Sequence, residues 1–142
     1  MEIIFHPRTI YKQGGSMKYR QSKEDNTPKP TRYFSKKQED AVAKAIGGRT
    51  TPNSGATAYS KGDITEGDRQ GWLIECKTCM KDQKSFTMQE AWFKKNIEES
   101  IYMHKEHTAV VFSFGPDKPN YYVIDENTFQ EMKEALEERG NK

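Results

Sequence analysis

Trp72-Leu73-Ile74-Glu75-Cys76-Lys77 sets an apolar run directly against a carboxylate and an ammonium group. Its period of two predicts a strand with Leu73, Glu75 and Lys77 on one face and Trp72, Ile74 and Cys76 on the other. Because the charges close a buried run rather than decorate a loop, their neighbours matter. Upstream, a strand is predicted around Asp63-Ile64, followed by a turn through Thr65-Glu66-Gly67-Asp68-Arg69-Gln70-Gly71. A hairpin of that length lets Asp63 and Glu75 converge at its open part. Arg49 to Ala58, rich in Thr, Ser, Gly and Asn, suits a short strand and a loop.

Further upstream, Ser35-Lys36-Lys37-Gln38 reads as a capping box that opens a helix, and Gly47-Gly48 ends it. Glu39 shares a face of that helix with Val42, Ala43 and Ile46, the face that should meet the core. A carboxylate there is costly unless something satisfies it. Downstream, Thr87-Met88-Gln89-Glu90 reads as a second capping box, for a helix reaching His104. Its expected apolar stripe is Trp92, Phe93, Ile97 and Ile101, with Gln89 on the same side and Glu90, Lys94 and Glu98 as an exposed ladder. Thr108–Phe114 and Tyr121–Ile124 read as strands, and a last helix opens at Asn127-Thr128-Phe129-Gln130 with Phe129, Met132, Ala135 and Leu136. The expected fold class is α/β with a mixed sheet, in the order helix, two or three strands, helix, two strands, helix.

The 142 residues allow one compact domain and a tail. The hydrophobic share is 33% and the charged share 31%, with a mean hydropathy of -1.02. Residues 1–32 combine Pro7, Gly14-Gly15, Pro28 and Pro30 with many polar side chains and read as a flexible basic arm; residues 33–142 form the expected domain. Net charge is only +2, but the basic side chains gather through Lys37 and the acidic ones near the end, from Glu131 to Glu138. That asymmetry suits either a polyanion partner or a solubilising tail. Two cysteines do not make a disulfide framework. The opening Met1-Glu2-Ile3-Ile4-Phe5-His6-Pro7 lacks a signal-peptide pattern, and no stretch is long and apolar enough for a membrane span. A soluble, cytoplasmic protein is expected.

Two carboxylates, a lysine and an inward glutamate suit phosphodiester hydrolysis. The carboxylates are hard ligands for Mg²⁺, which can polarise a phosphate and activate a water. A lysine beside them can orient or deprotonate that water, or neutralise the charge that develops on the phosphate.

Gly62-Asp63, Glu75-Cys76-Lys77 and the helical Glu39 together resemble the PD-(D/E)XK nuclease superfamily, from about Tyr33 to Ile124. The expected element order is similar to its restriction-endonuclease-like αβββαβ core, here with a C-terminal helix. The motif's usual proline is Gly62 in this chain. Within the superfamily the chain is most similar to archaeal and phage Holliday junction resolvases, which carry a Ser/Gly-rich segment before the Asp; here it is Thr51-Pro52-Asn53-Ser54-Gly55-Ala56. The resemblance implies metal ligation by Asp63, Glu75 and the Cys76 backbone carbonyl, a catalytic Lys77, and an accessory Glu39. It further implies an active-site Gln89 and phosphate contact by Ser54; apart from the resemblance, Asn53, Lys61, Lys81 and Lys84 are candidates to line the DNA path beside the site. Mg²⁺, replaceable by Mn²⁺, and a homodimer on branched DNA follow from the same likeness, as does a host cytoplasm if the chain is phage-encoded. The expected activity is structure-selective endodeoxyribonuclease. The alternatives are another DNA nuclease of the superfamily (restriction-like, repair or exonuclease) and a nucleic-acid-binding module without catalysis.

Other signals compete. Cys76-Lys77-Thr78-Cys79 and His104-Lys105-Glu106-His107 have zinc-ligand residue types, but a helix fills the gap between them. Trp92, Phe93, Tyr102, Tyr121 and Tyr122 are of a type that stacks on bases, yet at this spacing they read as core. Lys94 and Lys95 suit a DNA path or a solvated helix face equally.

Overall fold

The structure, a computed structural model, describes residues 27–52, 62–67 and 71–141. In chain order these form α1 (Thr31–Ile46), β1 (Arg49–Thr50), β2 (Ile64–Glu66), β3 (Trp72–Lys77), α2 (Glu90–Tyr102), β4 (His107–Ser113), β5 (Asn120–Val123) and α3 (Glu126–Gly140). The strands lie in sequence order in one five-stranded mixed sheet. Only β3 and β4 run parallel; the other neighbours are antiparallel. α2 provides the crossover that a parallel pair requires. The class is therefore mixed α/β, as the hydrophobic pattern predicts.

On one face of the sheet, Val42 and Ala43 of α1 pack against Ile64, Ile74, Ala109 and Val111, with Ile46, Trp72, Cys76 and Ile124 around them. β-Branched residues supply most of this surface, where a pleated strand favours them. Leu73 and Val110 are fully buried too and alternate to the opposite face, which α2 covers. Each such aliphatic side chain contributes about 1.5–3 kcal/mol by burial. The two-residue alternation read in β3 is the one observed, so Glu75 and Lys77 belong to the α2 side.

The helix starts differ from the capping boxes. α1 begins at Thr31 behind Pro30, and Ser35 sits inside it, donating its hydroxyl back to the Arg32 carbonyl at 3.2 Å. Gln38, the other half of the expected box, is buried instead. Gln89, not Thr87, is the N-cap residue of α2, and its side chain makes no capping bond. α3 opens at Asp125, whose Oδ1 accepts from the Thr128 N–H at 2.8 Å. β2 runs on through Glu66, and Asp63 stands just before it rather than within it.

The buried face of α2 also differs. Ile97 and Ile101 are 48% and 70% exposed, while Asn96 and Ser100 are buried. Asn96 Nδ2 donates to the Ala109 carbonyl at 3.1 Å, and the small Ser100 lets the helix approach the sheet on that side. Specific bonding and close approach thus outweigh the apolar stripe. Thr128 is the buried residue of α3, which leaves Phe129, Met132 and Leu136 exposed on one face. Tyr102, Tyr121 and Tyr122, expected in the core, are exposed as well. Among the described residues, no helix is long and apolar enough to cross a membrane.

Candidate active site

The β2–β3 ladder pairs Ile64 with Ile74, Thr65 with Leu73 and Glu66 with Trp72. At its open end Gly62, with φ +68°, turns the chain out of the ladder. The Asp63 N–H still reaches the Ile74 carbonyl at 3.0 Å. Its carboxylate Oδ2 accepts the Cys76 N–H at 2.7 Å, in place of the backbone acceptor that a continuing β2 would have supplied. Ile74 and Cys76 both turn their backbone groups toward β2, so the Cys76 carbonyl opens on the same edge as the Asp63 carboxylate.

Glu75 and Lys77 form an ion pair at 2.8 Å, with side chains 14% and 23% exposed. The Lys77 ammonium also lies 4.6 Å from the centre of the Trp92 ring, a cation–π contact of about 0.5–2 kcal/mol. The first turn of α2 therefore steadies the group that the end of β3 presents.

Glu39 reaches this edge from α1. Burial is the main cause that raises its pKa, and the charge of Asp63 adds to it, against smaller lowering by Arg32 and Lys36. The Cys76 thiol is pushed up as well, first by burial and then by Asp63, Glu39 and Glu75, with Lys77 opposing. Three carboxylates thus bear on one short backbone segment, with one ammonium beside them. Folded Glu39 holds its proton more readily than the unfolded chain does. Its contribution to stability is therefore greatest at low pH and is lost as pH rises from the ordinary glutamate range through the raised folded value. Glu39→Gln is expected to melt higher than the parent near neutral pH, with the gap closing toward about pH 4. Thermal melts across that range check this, and a gap that widens on acidification would contradict it.

Glu75 and Lys77 are paired with each other, Asp63 is bonded to the Cys76 N–H between them, and Glu39 bears on Asp63 through its charge. Gln89 is exposed at the start of α2, one turn from Trp92. Lys81 and Lys84 are exposed on the loop that follows β3. Asn53, Ser54 and Lys61 lie outside the described residues. Two neighbours were not singled out from sequence. Glu99 Oε2 accepts the Gly62 N–H at 3.1 Å, and the Glu99 side chain is 12% exposed; it belongs to neither the expected Ile97–Ile101 stripe nor the expected Glu90, Lys94 and Glu98 ladder. Gln38 was read as part of a cap.

Among the described residues, no three His, Cys, Asp or Glu side chains are disposed as a ready-made metal-ligand group. The donors at this edge nonetheless fit Mg²⁺ or Mn²⁺: they are hard oxygens, and Mg²⁺ commonly takes one or two carboxylates and keeps several waters. Burial raises the Glu39 pKa most, and the charge of Asp63 adds to it; a cation would relieve that second, electrostatic part. Compared with protein-family models, curated proteins and solved structures, the chain gives no match, and the reading of the site rests on its own geometry.

Proposed function

We propose that this chain is a Mg²⁺-dependent, structure-selective endodeoxyribonuclease with a restriction-endonuclease-like core, acting on branched DNA of the Holliday-junction type. The observation that carries the reading is the open end of the β2–β3 hairpin. There Asp63, Glu75 and the Cys76 carbonyl can hold a hard cation, with Glu39 behind them and Lys77 two residues beyond Glu75. Bound there, Mg²⁺ would supply Lewis-acid polarisation of a phosphate oxygen.

The protein's own part follows from the geometry. Asp63 is anchored by the Cys76 N–H through Oδ2, which fixes its carboxylate at this edge of the hairpin. Glu75 spends Oε1 on Lys77 and keeps Oε2. Lys77, held between Glu75 and Trp92, would orient the attacking water or neutralise the charge that builds on the phosphate. Lys81 and Lys84 offer phosphate contacts that position DNA without reading its sequence. A near-two-fold junction needs two cuts, so a homodimer belongs to the proposal. The exposed Phe129, Met132 and Leu136 of α3 give such a pair apolar surface to bury.

The deciding experiment digests a labelled four-way junction beside matched linear duplex and single strand, with Mg²⁺ and with EDTA. Metal-dependent, paired nicks near the crossover support the proposal. Equal cutting of every substrate removes the junction preference and leaves a general nuclease. No cutting with binding intact favours a non-catalytic module. Metal binding has a second readout. At about tenfold Kd, Mg²⁺ should stabilise the fold by about 1.4 kcal/mol, a rise of about 3–8 °C in melting temperature for a chain of this size. Asp63→Asn should reduce that rise, and an equal rise in both proteins would place the cation elsewhere.

A further inference from the structure

Gln38 is a buried side chain on α1 with every strong hydrogen of its amide in use. Its Nε2 donates to the Lys77 carbonyl at 3.3 Å and to Asn120 Oδ1 at 3.2 Å. Its Oε1 accepts from the Thr78 hydroxyl at 2.8 Å. Those bonds occupy both amide hydrogens and one lone pair of the carbonyl. Lys77 is the last residue of β3, and Asn120 the first of β5. One amide thereby ties the end of β3 to the start of β5, which β4 separates from it in the sheet.

The placement bears on the site. Lys77 pairs with Phe112 in the parallel ladder, but its carbonyl reaches α1 instead of continuing a strand. A side chain held by Glu75 and Trp92 at its tip still depends on where its own backbone stands. Glu39, next to Gln38 on α1, feels the charge of Asp63. Consecutive residues of α1 therefore bond to the Lys77 backbone and bear on the charge at Asp63. Solubility or simple core packing does not require a glutamine here, since an apolar side chain of similar size fills the same volume.

We propose that Gln38 is a positioning residue, fixing the Lys77 backbone and through it the ammonium beside the scissile phosphate. The inference rests on the nuclease reading above. A misplacement of about 1 Å in such a group can cost about a hundredfold in rate.

The test compares steady-state cleavage of branched DNA by the full chain, Gln38→Met, Gln38→Glu and Thr78→Val, with the folded fraction of each taken from thermal melts under assay conditions. For Gln38→Met, kcat per folded molecule is expected to fall about 10- to 100-fold, with KM for DNA within about twofold. Gln38→Glu, which when protonated can donate one of the two bonds, should recover part of that loss. Thr78→Val removes only the bond that orients the amide and should show a smaller loss of the same kind. A purely structural role would lower the folded fraction and leave kcat per folded molecule unchanged, and that result overturns the inference. If Gln38→Met does not fold, Thr78→Val decides alone, an unchanged kcat again overturning it. Absence of cleavage by the parent chain overturns the nuclease reading and this inference together. Cleavage by the parent with undiminished kcat in the variants overturns only the role of Gln38.

Discussion

Asp63→Asn and Lys77→Met should each lose about 10³-fold or more in cleavage of branched DNA while still binding it. The two substitutions are chosen to leave the fold in place. Asparagine keeps an oxygen that can accept the Cys76 N–H, the 2.7 Å bond that closes the open end of the hairpin, and it loses the negative charge a cation requires. Methionine keeps an unbranched stem against Trp92, whose ring the Lys77 ammonium now faces at 4.6 Å. It does leave Glu75 without its ion-pair partner at 2.8 Å, so some loss of stability is expected and must be measured alongside. Activity should be normalised to the folded fraction, and junction binding measured at fixed salt, because phosphate contacts weaken steeply as salt rises. Binding should persist, since the exposed Lys81 and Lys84 are untouched. Full cleavage by both variants would mean that the chemistry, if present, lies elsewhere in the chain.

What the sequence made legible follows from which signals are local. The face alternation of β3 is a property of consecutive residues, so Leu73, Glu75 and Lys77 could be assigned to one side before any fold was known. The pairing of β2 with β3 follows from the short connection between them, and it sets Asp63 against the Cys76 N–H. Glu39 stands out in the sequence because a carboxylate among Val42, Ala43 and Ile46 is out of place on a core-facing stripe, and it is half-buried with a raised pKa. Gln38 was lost for the converse reason. A glutamine three residues after a serine has a ready local explanation as a cap, and its real partners, Lys77, Thr78 and Asn120, are distant in sequence. α2 failed by the same logic. The periodic stripe pointed to Ile97 and Ile101, but a hydrogen bond from Asn96 to Ala109 and the small volume of Ser100 turned the helix, and tertiary contacts of that kind leave no periodic trace. The turn of the chain at Gly62 could be guessed from a glycine; its sign and its contact with Glu99 could not.

That turn yields the second large effect. The motif that this chain resembles carries a proline before its aspartate, and restoring it as Gly62→Pro is expected to damage the protein severely. Gly62 has φ +68°, whereas the proline ring fixes φ near about −65°. Its N–H, which proline lacks, donates to Glu99 Oε2 at 3.1 Å, and that carboxylate is too buried to take water freely in exchange. A Cβ at this position would stand 2.8 Å from Leu73 Cγ and closer still to Cδ1, against a fully buried side chain. Holding a residue against its allowed φ costs about 1–3 kcal/mol, and loss of a charged hydrogen bond about 1.5–3 kcal/mol. Together these reach about 2.5–6 kcal/mol, a large share of the about 5–15 kcal/mol that holds an ordinary domain together. Gly62→Ala separates the causes: it keeps the N–H but meets the same positive φ and the same Leu73 contact, so it should fall between the parent and the proline variant in urea melts. The Asp63 site should suffer with the fold, since this residue aims the carboxylate at the Cys76 N–H. A proline variant as stable as the parent would show that the chain before Asp63 takes another path, and the placement of Asp63 would have to be abandoned with it.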